Sequence, residues 1–295
     1  EAAPSAVIAD LDRASNNMGF ASGNIYSQIE NLVGSAFNDK LHGNSAKNIL
    51  DGGRGKDILD GKDGDDTYIV DVTSDGRLED TIIEDSSKSS GIDTIKLRGS
   101  YNGSPATLTL NPNIENLDAS GLAGQGVLKV NGNSKDNALL GNGAANILNG
   151  LSGNDHLKGN GGNDLLMGGD GSDKLNGEAG IDELWGGKGK DIFVFSTQLN
   201  AATNTDVIKD FELKSDLIHL DHSIFTKLSA GALNAAHFIT SESITVPEDQ
   251  DNYIYYHLKS GGLFYDEDGS GNGAMVQFAT IANKSVLTFE DFKII

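Results

Sequence analysis

Residues Gly132 to Val194 read GNSKDNALL, GNGAANILN, GLSGNDHLK, GNGGNDLLM, GGDGSDKLN, GEAGIDELW and GGKGKDIFV, one nine-residue pattern repeated seven times without insertion or gap. Gly opens every unit, an acid or its amide stands sixth, and Leu or Phe stands eighth. The first six residues form a turn that needs positive φ and close backbone approach, which Gly allows without a Cβ clash. The last three form a short strand whose middle residue points inward by the two-residue side-chain period. The expected core row is therefore Leu139, Leu148, Leu157, Leu166, Leu175, Leu184 and Phe193. A strand that short cannot stand alone. Consecutive units must alternate between two sheets, two units making one coil of eighteen residues, with coils stacked at about 4.8 Å. The expected fold is an all-β parallel β-roll, a right-handed solenoid of the β-helix kind.

Stacking at this period gathers the sixth positions into two rows, Asn137, Asp155, Asp173 and Asp191 along one edge and Asn146, Asp164 and Asp182 along the other. Carboxylates held a few ångströms apart in a groove of low dielectric repel strongly. The turn carbonyls of Gly153, Gly162, Gly171 and Gly189 have no strand partners to satisfy them. A hard dication answers both problems. Calcium takes roughly six to eight oxygens at about 2.3 to 2.6 Å and mixes carboxylates with backbone carbonyls, whereas zinc would want His or Cys, which these turns lack. A glycine-rich flexible linker would show no such phase, so several Ca2+ ions are the expected cofactor. Asp173, between Asp155 and Asp191, is expected to serve ions above and below through its two oxygens. Asp191 has an acidic partner on only one side within the repeats.

Working outward, Gly34 to Ile69 holds four more units in the same frame, GSAFNDKLH, GNSAKNILD, GGRGKDILD and GKDGDDTYI, with Asp39, Asn48, Asp57 and Asp66 sixth. Sites are expected between Asp39 and Asp57 and between Asn48 and Asp66. Residues 1–33 read as an irregular first coil. Residues 70–131 break the frame, but runs of Thr, Ile, Val and Leu between turn residues indicate continued β structure. IENL occurs at Ile29 to Leu32 and at Ile114 to Leu117, shortly before each ladder, and is expected to be an opening rung. After Val194 the composition changes: nine of the eleven Phe and four of the seven Tyr lie from Phe193 onward, so a packed core becomes possible. There TDVIKDFELKSDLIHLD is expected to form paired strands, AGALNAAHF a short helix, and NYIYYHLKSGGLFYDEDG a hairpin turning at Gly261 and Gly262, with two more strands from AMVQFATI and SVLTFEDFKII. The expected division is two tandem rolls and a cap: 1–71, a linking β segment 72–131, 132–194, and a β-rich C-terminal cap 195–295 that covers the open solenoid end.

A formal net charge of -21 and a pI near 4.4 argue against nucleic acid and anionic membrane as partners and for cations. Cysteine is absent, so in an extracellular setting bound metal must replace disulfides as staples. No membrane-spanning run appears. The chain opens on Glu1 rather than Met, and a fragment or processed product is expected.

The repeats resemble GGxGxDxUx, the nonapeptide of RTX proteins. The chain is similar to the C-terminal region of an RTX protein exported by a type I system, such as the part after the protease domain in serralysins or the tails of RTX lipases, epimerases and adhesins. DVIKDFELKSDLIHLD, GLFYDEDGSGNGA and LTFEDFKII resemble the family's capping segment, which implies an uncleaved secretion signal near the C-terminus and a secreted or cell-surface location. The resemblance further implies calcium ligands from second- and fourth-position carbonyls and sixth-position Asp. Carried over, these are Gly53, Gly55, Asp57, Gly64, Asp66, Gly153, Asp155, Gly162, Asp164, Gly169, Gly171, Asp173, Gly180, Asp182, Gly187, Gly189 and Asp191, with Asp206 resembling a ligand at the roll's end. Asn48, Asn137 and Asn146, and the non-Gly fourth positions Phe37, Ala46, Lys135 and Ala144, depart from the family pattern at the first rungs of each ladder.

Other chemistry is poorly provided for. Asp266, Asp268 and Gly269 look like the start of an EF-hand loop, but its downstream Glu is missing and a polar hairpin turn is the simpler reading. His219 and His222 would face opposite sides of a strand. No HExxH, GxSxG or Walker loop occurs, so the chain itself is not expected to be an enzyme. The parent protein is expected to be adhesive or structural, or else a secreted enzyme such as a serralysin-like metalloprotease, lipase or epimerase. The type I apparatus is the expected partner during export.

Overall fold

The computed structural model describes residues 3–84, 91–103, 105–243, 252–269 and 275–295. The chain is all-β, with no α-helix among the described residues. It divides into two compact units, Glu1–Asn133 with Ala138–Asn142, and Ser134–Asn137 with Gly143–Ile295.

In the first unit, strands alternate between two parallel sheets as the nine-residue phase requires. One sheet runs Ile8–Asp10, Lys40–His42, Ile58–Asp60, Thr81–Ile83. The other runs Asn31–Val33, Ile49–Asp51, Thr67–Asp71, Thr94–Ser100, Asn116–Asp118, Ala138–Leu140. Both IENL segments supply rungs: Leu32 lies beside Leu50, and Leu117 beside Leu139. Within the repeats, Leu41 pairs with Leu59 and Leu50 with Tyr68, eighteen residues on. Beyond Ile69 the core position is kept while the coil lengthens. Leu59 pairs with Ile82, Tyr68 with Ile95 and Ile95 with Leu117, so the spacing between stacked core residues exceeds the eighteen of the repeats. Ala106–Thr109 and Leu128–Asn131 form a further parallel pair.

The second unit repeats the plan. His156–Lys158, Lys174–Asn176, Ile192–Phe195, Leu217–Leu220 and Phe292–Ile294 form one parallel run. Asn146–Ser152, Leu165–Asp170, Glu183–Lys188, Asp206–Ile208 and Val276–Ile281 form the other. On this second face the three repeat strands exceed three residues, because the ladder continues into the turns, with Leu151 beside Gly169 and Gly169 beside Gly187. Eighth-position residues of both ladders, from Leu41 to Phe193, are at most 1% exposed, and their strand neighbours are mostly half-buried or exposed.

The segment after Val194 extends the roll before it closes it. Asp206–Ile208 and Leu217–Leu220, expected to pair with each other, lie in different sheets. Ile208 stacks beside Leu184 and Ile218 beside Phe193, because each continues the alternation of the repeats. The expected helix in AGALNAAHF is only a strand, Gly231–Ala232, and one 3-10 turn, Ala235–His237, capped by the Asn234 side chain. The hairpin forms between Ile254–His257 and Gly262–Tyr265, with Gly261 in the turn and Gly262 already in the strand. Phe195, Phe225, Tyr265 and Phe278 meet edge to face at ring separations of 5.0 to 5.2 Å, the aromatic core that the composition shift foretells.

Because Leu166 is fully buried and Leu165 on the same strand is half-exposed, Leu166→Ala is expected to cost about 2 to 5 kcal/mol and Leu165→Ala clearly less. Denaturant unfolding of both variants in calcium measures this; equal losses would contradict the inward row.

Candidate metal centre

Each turn is built around the sixth-position carboxylate. One oxygen of that group serves the backbone. Oδ1 of Asp155 accepts the N–H of Asn137 at 2.7 Å, Oδ1 of Asp173 that of Asp155 at 2.7 Å, and Oδ1 of Asp191 that of Asp173 at 2.9 Å. The other edge does the same, Asn146 to Asp164 and Asp164 to Asp182, both at 2.7 Å. In the first unit Asp39 donates to Asp57 at 2.6 Å and Asn48 to Asp66 at 2.7 Å. Every such bond joins residues eighteen apart, so the carboxylate row is also the stitching of the turns.

The second oxygen is left over. Oδ2 of Asp57, Asp66, Asp155, Asp164, Asp173, Asp182 and Asp191 is buried and accepts no hydrogen bond from any described residue. It lies where a Cβ on the first-position residue would sit: at Gly168 that atom would collide with Oδ2 of Asp173, which accounts for Gly at the head of that repeat. Gly171, at the fourth position, has φ +146°, and a Cβ there would strike the Gly153 carbonyl oxygen one coil away. Second positions also have positive φ but tolerate side chains, as Leu151, Asn160 and Glu178 show.

Asp39 does not share this arrangement. Its Oδ1 accepts from Val7 at 2.6 Å and its Oδ2 takes the Ser35 N–H, so both oxygens are committed to the protein. Oδ1 of Asp173, expected to serve an ion, also accepts the Asp155 N–H, which leaves Oδ2 as its oxygen without a donor. Asp191 is not the end of its row. Its N–H donates to Oδ1 of Asp216 at 3.0 Å, while Asp206 takes the N–H of Asp182 at 3.1 Å. The amides are also distinctive: Asn146 Nδ2 donates to the Ala144 carbonyl and, at 3.1 Å, to Oδ1 of Asp164, supplying the positive end that an acid there would need from outside.

Four row members escaped the sequence reading. Asp80 takes the N–H of Asp57, Asp93 that of Asp66, and Glu115 that of Asp93; Asp216 is the fourth. A signal existed, an acid two residues before the middle aliphatic of a strand, in Asp80-Thr81-Ile82, Asp93-Thr94-Ile95, Glu115-Asn116-Leu117 and Asp216-Leu217-Ile218. It is the strand half of a repeat without the glycine turn.

Electrostatics follows from burial. Desolvation, with smaller repulsion from neighbouring acids, pushes Asp155 and Asp191 up to about 7, against the lowering effect of the backbone N–H bonds. Asp164 is likewise raised to about 7, and Asp57 and Asp66 to about 6. Buried, mutually repelling, all-oxygen groups with one unused oxygen each fit a hard dication such as calcium and do not fit a metal that selects nitrogen or sulfur.

Against known families, the profile of the RTX calcium-binding nonapeptide repeat matches in four copies, over residues 31–68, 140–175 and 167–196. The ladders are RTX calcium-binding nonapeptide repeats. The RTX match spans the sixth-position acids from Asp39 to Asp66 and from Asp155 to Asp191, and omits the first rung of the long ladder, where Asn137 stands. No curated protein matches the chain as a relative. The RTX solenoid is a structural calcium-binding fold rather than a catalytic one. Asp266 Oδ1 accepts the N–H groups of Asp268 and Gly269, a local turn; the remainder of that loop, 270–274, lies outside the described residues. No helix among the described residues is long and apolar enough to cross a membrane.

The raised carboxyls bind protons more tightly folded than unfolded, where the ordinary value is near 4. Their contribution to metal-free stability is complete below about pH 4 and lost as pH rises through about 6 to 7. In chelator, the folded fraction read by circular dichroism is therefore expected to fall between about pH 5 and pH 8. A metal-free chain more folded at the higher pH would contradict this sign.

Proposed function

We propose that this chain is a calcium-binding, calcium-folded module of an exported bacterial protein, and that it performs no catalysis itself. The observation that carries the reading is the row of buried Oδ2 atoms with no donor. Calcium sits at the turn edges, held by Asp57, Asp66, Asp155, Asp164, Asp173, Asp182 and Asp191 and by carbonyls of Gly53, Gly55, Gly64, Gly153, Gly162, Gly169, Gly171, Gly180, Gly187 and Gly189. Asp206 extends one edge, whereas Asp39 and Asp216, whose two oxygens each take backbone N–H groups, serve the turns rather than an ion. The Asn48, Asn137 and Asn146 rungs take no ion, their amides replacing it.

The same geometry explains a switch. Without a cation the stacked acids resist folding; with one, burial of the rows becomes favourable, and metal binding energy is folding energy. Extracellular modules bind calcium with dissociation constants of roughly 0.1 to 1 mM, far above cytosolic calcium. The chain is thus unfolded for passage through a type I apparatus and folds outside, where it stabilises and caps a larger secreted or surface protein. The divisions 1–71, 72–131, 132–194 and 195–295 serve as first roll, linking coils, second roll and cap. An adhesive or structural parent suits two ladders in one chain; the tail of a secreted enzyme, serralysin-like or other, is the second reading.

Circular dichroism of the full chain is expected to show a disordered spectrum in chelator at neutral pH and a β spectrum in millimolar calcium; a complete β spectrum in chelator would sink the switch. Asp173→Ala and Asp191→Ala each leave a buried N–H unpaired, at a cost of about 1 to 3 kcal/mol. Each should raise the calcium midpoint of folding about tenfold, and by similar amounts because Asp216 continues the row beyond Asp191. Asp136→Ala, which removes an exposed hydrogen bond to Asn154, should shift it far less. Equal midpoints for Asp173→Ala and Asp136→Ala would contradict the ligand assignment.

A further inference from the structure

Glu84 belongs to no repeat. It follows the strand Thr81–Ile83, in the first of the lengthened coils, and is 7% exposed. Its Oε1 accepts the Tyr68 hydroxyl, while its Oε2 is buried and meets no donor among the described residues. Carboxylate oxygens of Glu84, Asp66 and Asp93 all lie within 4.8 Å of one another, and all three residues are buried. Asp66 keeps Oδ2 without a donor, its Oδ1 being held by Asn48. Asp93 Oδ1 accepts the Asp66 N–H at 2.8 Å.

Tyr68 occupies a core position that is Leu or Phe in the other ten repeats. Its hydroxyl accepts the Gly61 N–H at 3.0 Å and donates to Glu84, which fixes the Glu84 carboxylate against the row. One acid from outside the repeats is brought beside two row acids, and two of these nine-tenths-buried side chains, Glu84 and Asp66, each keep an oxygen that meets no donor among the described residues. Three carboxylates cannot share such a site without a compensating charge. The donors are all oxygen, which suits a hard cation with flexible geometry.

We propose that the calcium ion at Asp66 is held differently from those at the other turns, by three side chains, Glu84, Asp66 and Asp93, with Glu84 supplied by an interruption of the repeat and oriented by Tyr68. The interruption at 70–93 is then a binding device rather than a lapse in the pattern.

The full chain is titrated with calcium, and separately with terbium, whose emission a nearby tyrosine sensitises. Glu84→Gln, which keeps size and hydrogen bonding, is expected to bind one calcium ion fewer than the unaltered chain. Tyr68→Phe, which keeps the ring in the core, is expected to lose the terbium emission sensitised from this site. Asp173→Ala, altered only in the other unit, should keep that emission, which separates failure here from failure of the turn sites. An unchanged calcium count in Glu84→Gln would overturn the site, leaving shared protons as the compensation. Should Glu84→Gln not fold, unchanged tyrosine-sensitised emission in Tyr68→Phe would overturn it equally.

Discussion

The structure depends on one division of labour within a carboxylate. Oδ1 of Asp57, Asp66, Asp155, Asp164, Asp173, Asp182 and Asp191 takes a backbone N–H from the turn one coil earlier, and Oδ2 of each faces the missing Cβ of the opening glycine with no donor among the described residues. The first half makes the acid part of the scaffold, so it cannot turn away to solvent. The second half leaves a buried negative oxygen that only a proton or a cation can compensate. Repetition multiplies the problem along each edge, and this is why a fold with so little conventional core can be tied to an ion rather than to disulfides.

The apolar contribution is modest per rung and regular. One inward eighth-position residue per repeat, Leu in most rungs, Tyr68 or Phe193 at the ends of the ladders, builds a narrow core between two facing sheets. Aromatic packing is confined to the C-terminal segment, where Phe195, Phe225, Tyr265 and Phe278 form a cluster of ordinary protein kind. A thin solenoid core and an aromatic cluster divide the apolar packing within the second unit.

Strict periodicity made the ladders legible in the sequence: the sheet alternation, the inward row and the eighteen-residue pairing all follow from nine residues in phase. Legibility ended where phase ended. Asp80, Asp93, Glu115 and Asp216 occupy row positions but lack the glycine turn, so only the weak acid-x-aliphatic signal marks them. The strands at 206–208 and 217–220 looked like a pair because they are close in sequence, yet solenoid alternation sends neighbours to opposite sheets. Division of Oδ1 from Oδ2 could not be read from composition at all. It arises from turn geometry, which leaves Asp173 one oxygen without a donor and gives both oxygens of Asp39 a backbone N–H.

The most direct measurement of the central claim is the position of calcium in crystals of the full chain grown with the ion, located by anomalous scattering. The account predicts peaks at about 2.3 to 2.6 Å from Oδ2 of Asp155, Asp173 and Asp191 on one edge and of Asp164 and Asp182 on the other. Peaks confined to exposed acids such as Asp136 and Asp170, with the Oδ2 rows bare, would contradict it.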